Sequence, residues 1–188
     1  MNSKKITISV HSPDANEKFF FFMSGVIISI PISLFFEAFG SSIATFTSQL
    51  LNALWAAAFV SPLVEEFAKS YPLFYRHGET GKSIYMLGFL VGLGFGVSEF
   101  FVYVFAYGAP ILLRVPGILF HAASTTIVSY GIATKIPFSF YIVAVLFHAI
   151  NNLFAQLGEL WLIGGIGAIT ATYLLSIYYN SKLKDTYY

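Results

Sequence analysis

The stretch SPLVEEFAKSYPLF, residues 61–74, places Glu65, Glu66 and Lys69 in the middle of an apolar segment. Charged groups are scarce in this chain: of its 188 residues 57% are hydrophobic and 10% are charged, and the mean hydropathy is +0.75. A soluble domain carries about one-quarter charged residues. The composition therefore predicts an integral membrane protein, in which these three side chains need a reason to be present.

Charge and cysteine content exclude several classes of function. The formal net charge of +1 gives no indication of a nucleic-acid partner. The absence of cysteine excludes disulfides, thiol nucleophiles and thiolate metal ligands. A chain of this length is expected to form one compact bundle and not two domains.

Six apolar stretches each approach the ~20 residues that a helix needs to cross a bilayer core of ~30 Å. They lack the period-two alternation of a barrel strand, and turn-forming residues separate them. The predicted fold is therefore an all-α polytopic bundle of about six transmembrane helices, with more if the second is long or broken. We place the stretches at Phe19–Phe39, Ile43–Val64 with the helix continuing past Lys69, Ser83–Tyr107, Ile111–Ile132, Phe138–Gln156 and Leu160–Tyr179.

The first stretch raises the alternative of a signal peptide, because Lys4, Lys5 and Lys18 precede it. Its apolar run is longer than the apolar region of a signal peptide, and a polar segment comes before it. We therefore expect a retained helix.

The distribution of basic residues predicts the orientation. Lys and Arg lie in both tails and in the connections after the second and fourth stretches, whereas the alternate connections hold only Arg114, with Glu37 and Glu159. By the positive-inside rule both termini are cytoplasmic. The predicted organisation is a cytoplasmic segment at 1–18, a transmembrane bundle at 19–180 and a cytoplasmic tail at 181–188.

Ionisable residues recur near the middle of the predicted bilayer. At about 1.5 Å per residue, His121 and His148 each lie ~16 Å into their helices. A charged group that faces lipid at this depth costs ~2.5–3.5 kcal/mol on insertion scales. We therefore expect the ionisable groups of the bundle to converge in its interior. These are Glu65, Glu66, Lys69, Glu99, His121 and His148.

Two i,i+4 pairs suggest how these groups act. Lys69 shares a helix face with Glu65, so it can neutralise that carboxylate or extend to the cytoplasmic interface. His148 and Asn152 stack on one face and can donate hydrogen bonds to a single oxygen. A glutamate that takes a proton from water, beside a His/Asn pocket for an oxyanion, makes up a hydrolytic site. Ser98 and Ser124 lack the strand-turn-helix context of a serine nucleophile.

Three short motifs resemble those of a known family. EEFAK at 65–69 matches E-E-x-x-K, FGVSE at 95–99 matches F-x-x-x-E, and HAINN at 148–152 matches H-x-x-x-N, with His121 between the last two. In this order they resemble the PrsW family of intramembrane proteases, within the superfamily of CAAX-prenyl endopeptidases and bacteriocin-processing enzymes. The CAAX branch has an arginine and a histidine where this chain ends its first two motifs in lysine and glutamate, which favours the PrsW branch.

The resemblance implies an intramembrane endopeptidase of a prokaryotic cell membrane that acts on a membrane protein or peptide, for example an anti-sigma factor. A glutamate, not a serine, would activate the water, and whether Glu65 or Glu66 carries the proton is left open. The implied roles are Glu65 as general base with Glu66 beside it, Glu99 placing the water, His148 and Asn152 as the oxyanion pocket, His121 completing the site and Lys69 in support.

Zinc is an alternative to the metal-free site. The superfamily has also been described as metallopeptidases, and Glu65, His121 and His148 would then be the ligands. The sequence contains no H-E-x-x-H pair, and the histidines come singly from different helices. We therefore expect no cofactor.

Two other classes of protein fit the composition. Buried carboxylates and histidines also occur in a small substrate-binding or proton-coupled transporter subunit, but the chain shows neither an internal repeat nor a pair of broken helices. A non-enzymatic membrane scaffold with a dead site is the third reading. The protease is favoured because every polar group of the hydrolytic machinery is present.

Overall fold

The computed structural model describes residues 12–75 and 80–184. Within these ranges six helices are long and apolar enough to cross a membrane, which confirms the prediction of an all-α polytopic bundle. The orientation of the termini remains a prediction. The helices are α1 Ala15–Ile43, α2 Gln49–Phe74, α3 Gly81–Ala106, α4 Ile111–Ala133, α5 Pro137–Ala155 and α6 Trp161–Lys182.

The first connection lies later than the sequence predicts. Gly40, Ser41 and Ser42 read as a turn, but α1 continues through them, and the Ser42 hydroxyl donates to the Phe39 carbonyl. The connection occupies residues 44–48. The side chain of Asn52 closes this connection. Its Oδ1 accepts a hydrogen bond from the N–H of Phe46, and its Nδ2 donates one to the carbonyl of Phe46. The extra turn of α1 carries Ser41, whereas Glu37 precedes it within the same helix.

A wide π-type turn at Trp55–Val60 interrupts α2, and its cause is in the sequence. The N–H of Ser61 donates to Ala56, five residues back. The next carbonyl in this pattern, that of Ala57, would need the N–H of Pro62, and proline has none. The side chain of Asn152 on α5 supplies the missing donor, with Nδ2 at 2.9 Å from the Ala57 oxygen. π turns frequently occur at functional sites.

Helix α4 is the centre of the bundle, and α3 packs closely on it. All residues from Phe120 to Ser129 are buried. A Cβ at Gly92 would clash with the His121 carbonyl oxygen, and one at Gly96 would lie 2.8 Å from Cα of Ile118. Only glycine therefore allows the two backbones to come this close, and this approach brings Glu99 beside His121.

Large apolar side chains cover the outside of the bundle. Phe105, Leu112 and Ile163 are each at least 74% exposed, as suits side chains that face lipid. The interior of the bundle instead contains many of the ionisable groups.

Candidate active site

The six ionisable residues predicted to converge do so. Four helices bring them together: α2 contributes three, and α3, α4 and α5 one each. Glu99 is partly buried and the others are buried. The bundle thus encloses Glu65, Glu66, Lys69, Glu99, His121 and His148.

Lys69 does not take either of its predicted positions. Its side chain is fully buried and does not reach the cytoplasmic interface, and it pairs with Glu66, not with Glu65. Nζ lies 2.6 Å from Glu66 Oε1, 2.9 Å from His121 Nδ1 and 3.4 Å from Ser124 Oγ. These acceptors give the ammonium a full set of partners, which explains why it points inward.

The contacts of Lys69 fix the protonation of His121. An ammonium only donates hydrogen bonds, so His121 Nδ1 must accept one. Its Nε2–H then donates to Glu99 Oε2 at 2.5 Å. Arg114 of α4 reaches the other Glu99 oxygen at 3.4 Å and stacks on Tyr103 at 3.6 Å. Both ring nitrogens of His121 are therefore engaged.

His148 takes the opposite tautomer. Its Nδ1 lies 2.8 Å from Glu66 Oε1, and because a carboxylate only accepts, Nδ1 carries the proton. Nε2 then carries a lone pair and lies 3.8 Å from Glu65 Oε2. The predicted role of His148 as a donor to an oxyanion requires the ring to take up a second proton and stays a prediction.

Glu65 has one engaged and one free oxygen. Oε1 accepts a hydrogen bond of 2.5 Å from the Ser61 hydroxyl. Oε2 is buried, and no N–H or hydroxyl group in residues 12–75 and 80–184 donates to it. Oε2 faces His148 Nε2 and, at 4.0 Å, His121 Nδ1. Because Lys69 occupies the lone pair of His121, the two acceptors without a donor from the described part of the chain are Glu65 Oε2 and His148 Nε2, a pair that a water molecule or a cation can satisfy.

Asn152 has a structural contact and one N–H to spare. Its Nδ2 donates to the carbonyl of Ala57, and its Oδ1 accepts from Asn151 at 3.2 Å. A carboxamide has two N–H groups, so one remains for a ligand in the cavity that Asn152 lines.

A cavity of about 360 Å³ connects these groups with one face of the bundle. Glu65, His121 and His148 line its inner part. Leu113, Gln156 and other residues near the helix ends line its outer part. This outer part lies beside the connections 44–48, 107–110 and 156–160, on the side predicted to be extracytoplasmic. The cavity therefore extends from this face to the Glu65 side chain, which is 7% exposed.

Glu37 is a residue of the cavity that the sequence interpretation missed. The charge distribution counts Glu37 with the first connection, although it falls at the end of the stretch Phe19–Phe39; in the structure it lies within α1, lines the cavity and is partly buried. Its carboxyl interacts electrostatically with that of Glu65, which lines the same cavity. Ser41 lies one turn further along α1 and lines the same cavity. The i,i+4 spacing of Glu37 and Ser41 places two polar side chains on one face of a helix, and this pattern in the sequence could have predicted that Glu37 faces the bundle interior.

A metal ion would find suitable ligand types here. One atom each of Glu65, His121 and His148 lie within 4.8 Å of one another, and catalytic zinc takes three such ligands and a water. The contact of His121 Nδ1 with the Lys69 ammonium occupies one of the three lone pairs. As arranged, the site does not fit a three-ligand metal. It would do so only if Lys69 moved away from His121.

A carboxylate at the inner part of a cavity, two imidazoles and a carboxamide inside a six-helix membrane bundle are the groups expected of an intramembrane hydrolase. Comparison with known families agrees: the model described as PrsW family intramembrane metalloprotease matches residues 18–179. The chain belongs to the PrsW family and is an integral, multi-pass membrane protease. The transporter and scaffold readings are not favoured. No curated protein and no solved structure matches the chain.

Proposed function

We propose that the protein hydrolyses peptide bonds of membrane-associated proteins or peptides with a water molecule that Glu65 activates. The observation that carries this proposal is the buried Oε2 of Glu65, which faces the lone pair of His148 Nε2 and receives no hydrogen bond from an N–H or hydroxyl group of the described residues. A water there can donate to both atoms.

The proposed reaction begins when Glu65 takes a proton from this water. At the same time the oxygen of the water attacks the scissile carbonyl carbon. The carbonyl oxygen becomes an oxyanion, for which the spare N–H of Asn152 is the candidate donor. When the C–N bond breaks, Glu65 returns the proton to the leaving amine, and the acid and amine products separate. The atoms and protons balance without a cofactor.

Glu66 and Lys69 act in this scheme as positioning residues. Glu66 Oε1 accepts from both His148 and Lys69, so it fixes the tautomer of one histidine and anchors the cation that contacts the other. Glu99 orients His121 through its Nε2–H. The two histidines therefore hold fixed orientations before a substrate arrives.

A metal-dependent variant is the second candidate, favoured by the ligand set of Glu65, His121 and His148 and by the description of the family. A divalent ion held there would lower the pKa of a bound water and polarise the scissile carbonyl. The protein would first have to release His121 from Lys69.

The test is cleavage of a quenched-fluorescent library of transmembrane and juxtamembrane peptides by the detergent-purified protein. We expect cleavage by the wild type, none by Glu65→Gln, and no effect of a strong chelator. The matched control is Glu17→Gln, a half-buried position in the first turn of α1, away from the cavity lining, where glutamine preserves the capping box with Asp14.

Two outcomes bear on the candidates, and a third checks the control. Activity that a chelator removes and zinc restores would assign the metal-dependent variant. Normal cleavage by Glu65→Gln would show that Glu65 is not the base. Cleavage lost in Glu17→Gln as well would indicate a general effect on folding.

A further inference from the structure

We propose that Glu37 selects substrates that carry a lysine or arginine next to the scissile bond. This inference rests on the proposed function and names a substrate class for it.

The charges that line the cavity do not balance. Among the described residues, its lining includes the carboxyls of Glu37, Glu65 and Glu99 but only one lysine or arginine, Arg114. Arg114 pairs with Glu99. Lys69 pairs with Glu66 and does not line the cavity. Two carboxyls therefore face the cavity without a lysine or arginine partner, and one of them belongs to the reacting centre.

Glu37 has the position of a binding group and not of a structural one. It makes no ion pair within the described part of the chain, and it lines the same cavity as Glu65. Two neighbouring carboxyls in a poorly hydrated site repel each other when both are ionised. A cation that enters the cavity relieves this repulsion, whereas an anion is rejected.

A basic side chain suits this cation site in shape as well as in charge. The cavity wall beside Glu37 includes Ala56 and Ala57, against which the methylene stem of lysine or arginine can lie. A guanidinium can bridge two carboxyls through its planar set of N–H donors, so arginine should be favoured over lysine.

The position of Glu37 in the same cavity as Glu65 limits where the basic residue lies in the substrate. Successive residues of an extended chain are about 3.3–3.6 Å apart, and the attacking water lies beside Glu65 in the proposed function. The basic residue should therefore be one or two residues from the scissile bond.

The experiment uses sets of membrane peptides that differ only in carrying Arg, Gln or Glu at one of the three positions on either side of the cleaved bond. For the wild type we expect kcat/KM to be at least ~10-fold higher for Arg than for Gln at one position, and lowest for Glu. In Glu37→Gln the ratio of Arg to Gln should fall to within about threefold. Glu37→Asp should keep part of the preference, and Glu17→Gln should keep all of it.

Binding separates this inference from the proposed function. The affinities of the Arg and Gln peptides are measured on His148→Ala and on the double variant with Glu37→Gln. An Arg preference in binding that requires Glu37, together with a wild type that cleaves none of the peptides, would support the binding site and refute the proposed hydrolysis. Cleavage without an Arg preference, a preference that persists in Glu37→Gln, or a preference for Glu would overturn the role of Glu37.

Discussion

Lys69 shows at the residue scale how a buried cation can organise a membrane site. It is 0% exposed and lies between a carboxylate of its own helix and an imidazole of α4. Removal of one partner from a buried ion pair costs ~3–5 kcal/mol, because the other charge is left uncompensated. We therefore expect Lys69→Met to lower the thermal-unfolding midpoint in detergent strongly, whereas Lys82→Met, at an exposed position, should leave it nearly unchanged.

The double variant Lys69→Met with Glu66→Gln tests the cause of that loss. It removes both charges, so it should recover part of the stability that Lys69→Met loses. Lys69→Arg should also be destabilising, because a planar guanidinium does not fit a site closed around a compact ammonium. A stable Lys69→Arg variant would instead indicate a lysine that extends to the membrane interface.

The sequence predicted which residues converge but not how they pair. The cost of a charge in lipid was sufficient to bring Glu65, His121 and His148 into one interior. The direction of Lys69 depends on an acceptor 52 residues away, which no helical spacing reveals. Glu37 was missed because the Gly-Ser-Ser turn signal that follows it places it at the end of the predicted helix, beside the connection, whereas here the helix continues through that signal.

The π turn of α2 is the feature at the scale of the element that links fold and site. Pro62 leaves the Ala57 carbonyl without a backbone donor, and Asn152 bonds it. An unpaired buried carbonyl costs ~1–3 kcal/mol, and Ala57 is partly buried, so Asn152→Ala should lower the free energy of unfolding by about 1 kcal/mol, the lower end of that range. Pro62→Ala restores a backbone N–H, and in that background Asn152→Ala should cost less.

This double-mutant cycle separates two roles of Asn152. Equal costs of Asn152→Ala in both backgrounds would show that the Ala57 contact does not carry the stability. Peptide cleavage measured on the same four proteins then reports the predicted oxyanion role: activity lost in Asn152→Ala and still absent when Pro62→Ala has restored stability would support donation to the substrate.

At the scale of the whole molecule, hydropathy was enough to find six spans, because lipid allows only helices of a minimum length. The cavity could not be predicted in this way. It arises where the close contact of α3 and α4 at glycine, the extra turn of α1 and the π turn of α2 meet, and each of these depends on atoms of another helix. The face on which the cavity opens decides which parts of a substrate can reach it.

The positive-inside rule predicts that this face is extracytoplasmic, and the absence of cysteine makes the prediction simple to test. A single cysteine at Thr47, in the connection beside the cavity mouth, should react with a membrane-impermeant maleimide in intact cells. One at Ser181, at the exposed end of α6 on the opposite face, should react only after lysis. The reverse pattern would place the cavity mouth in the cytoplasm and with it the substrate segment that the protease can cut.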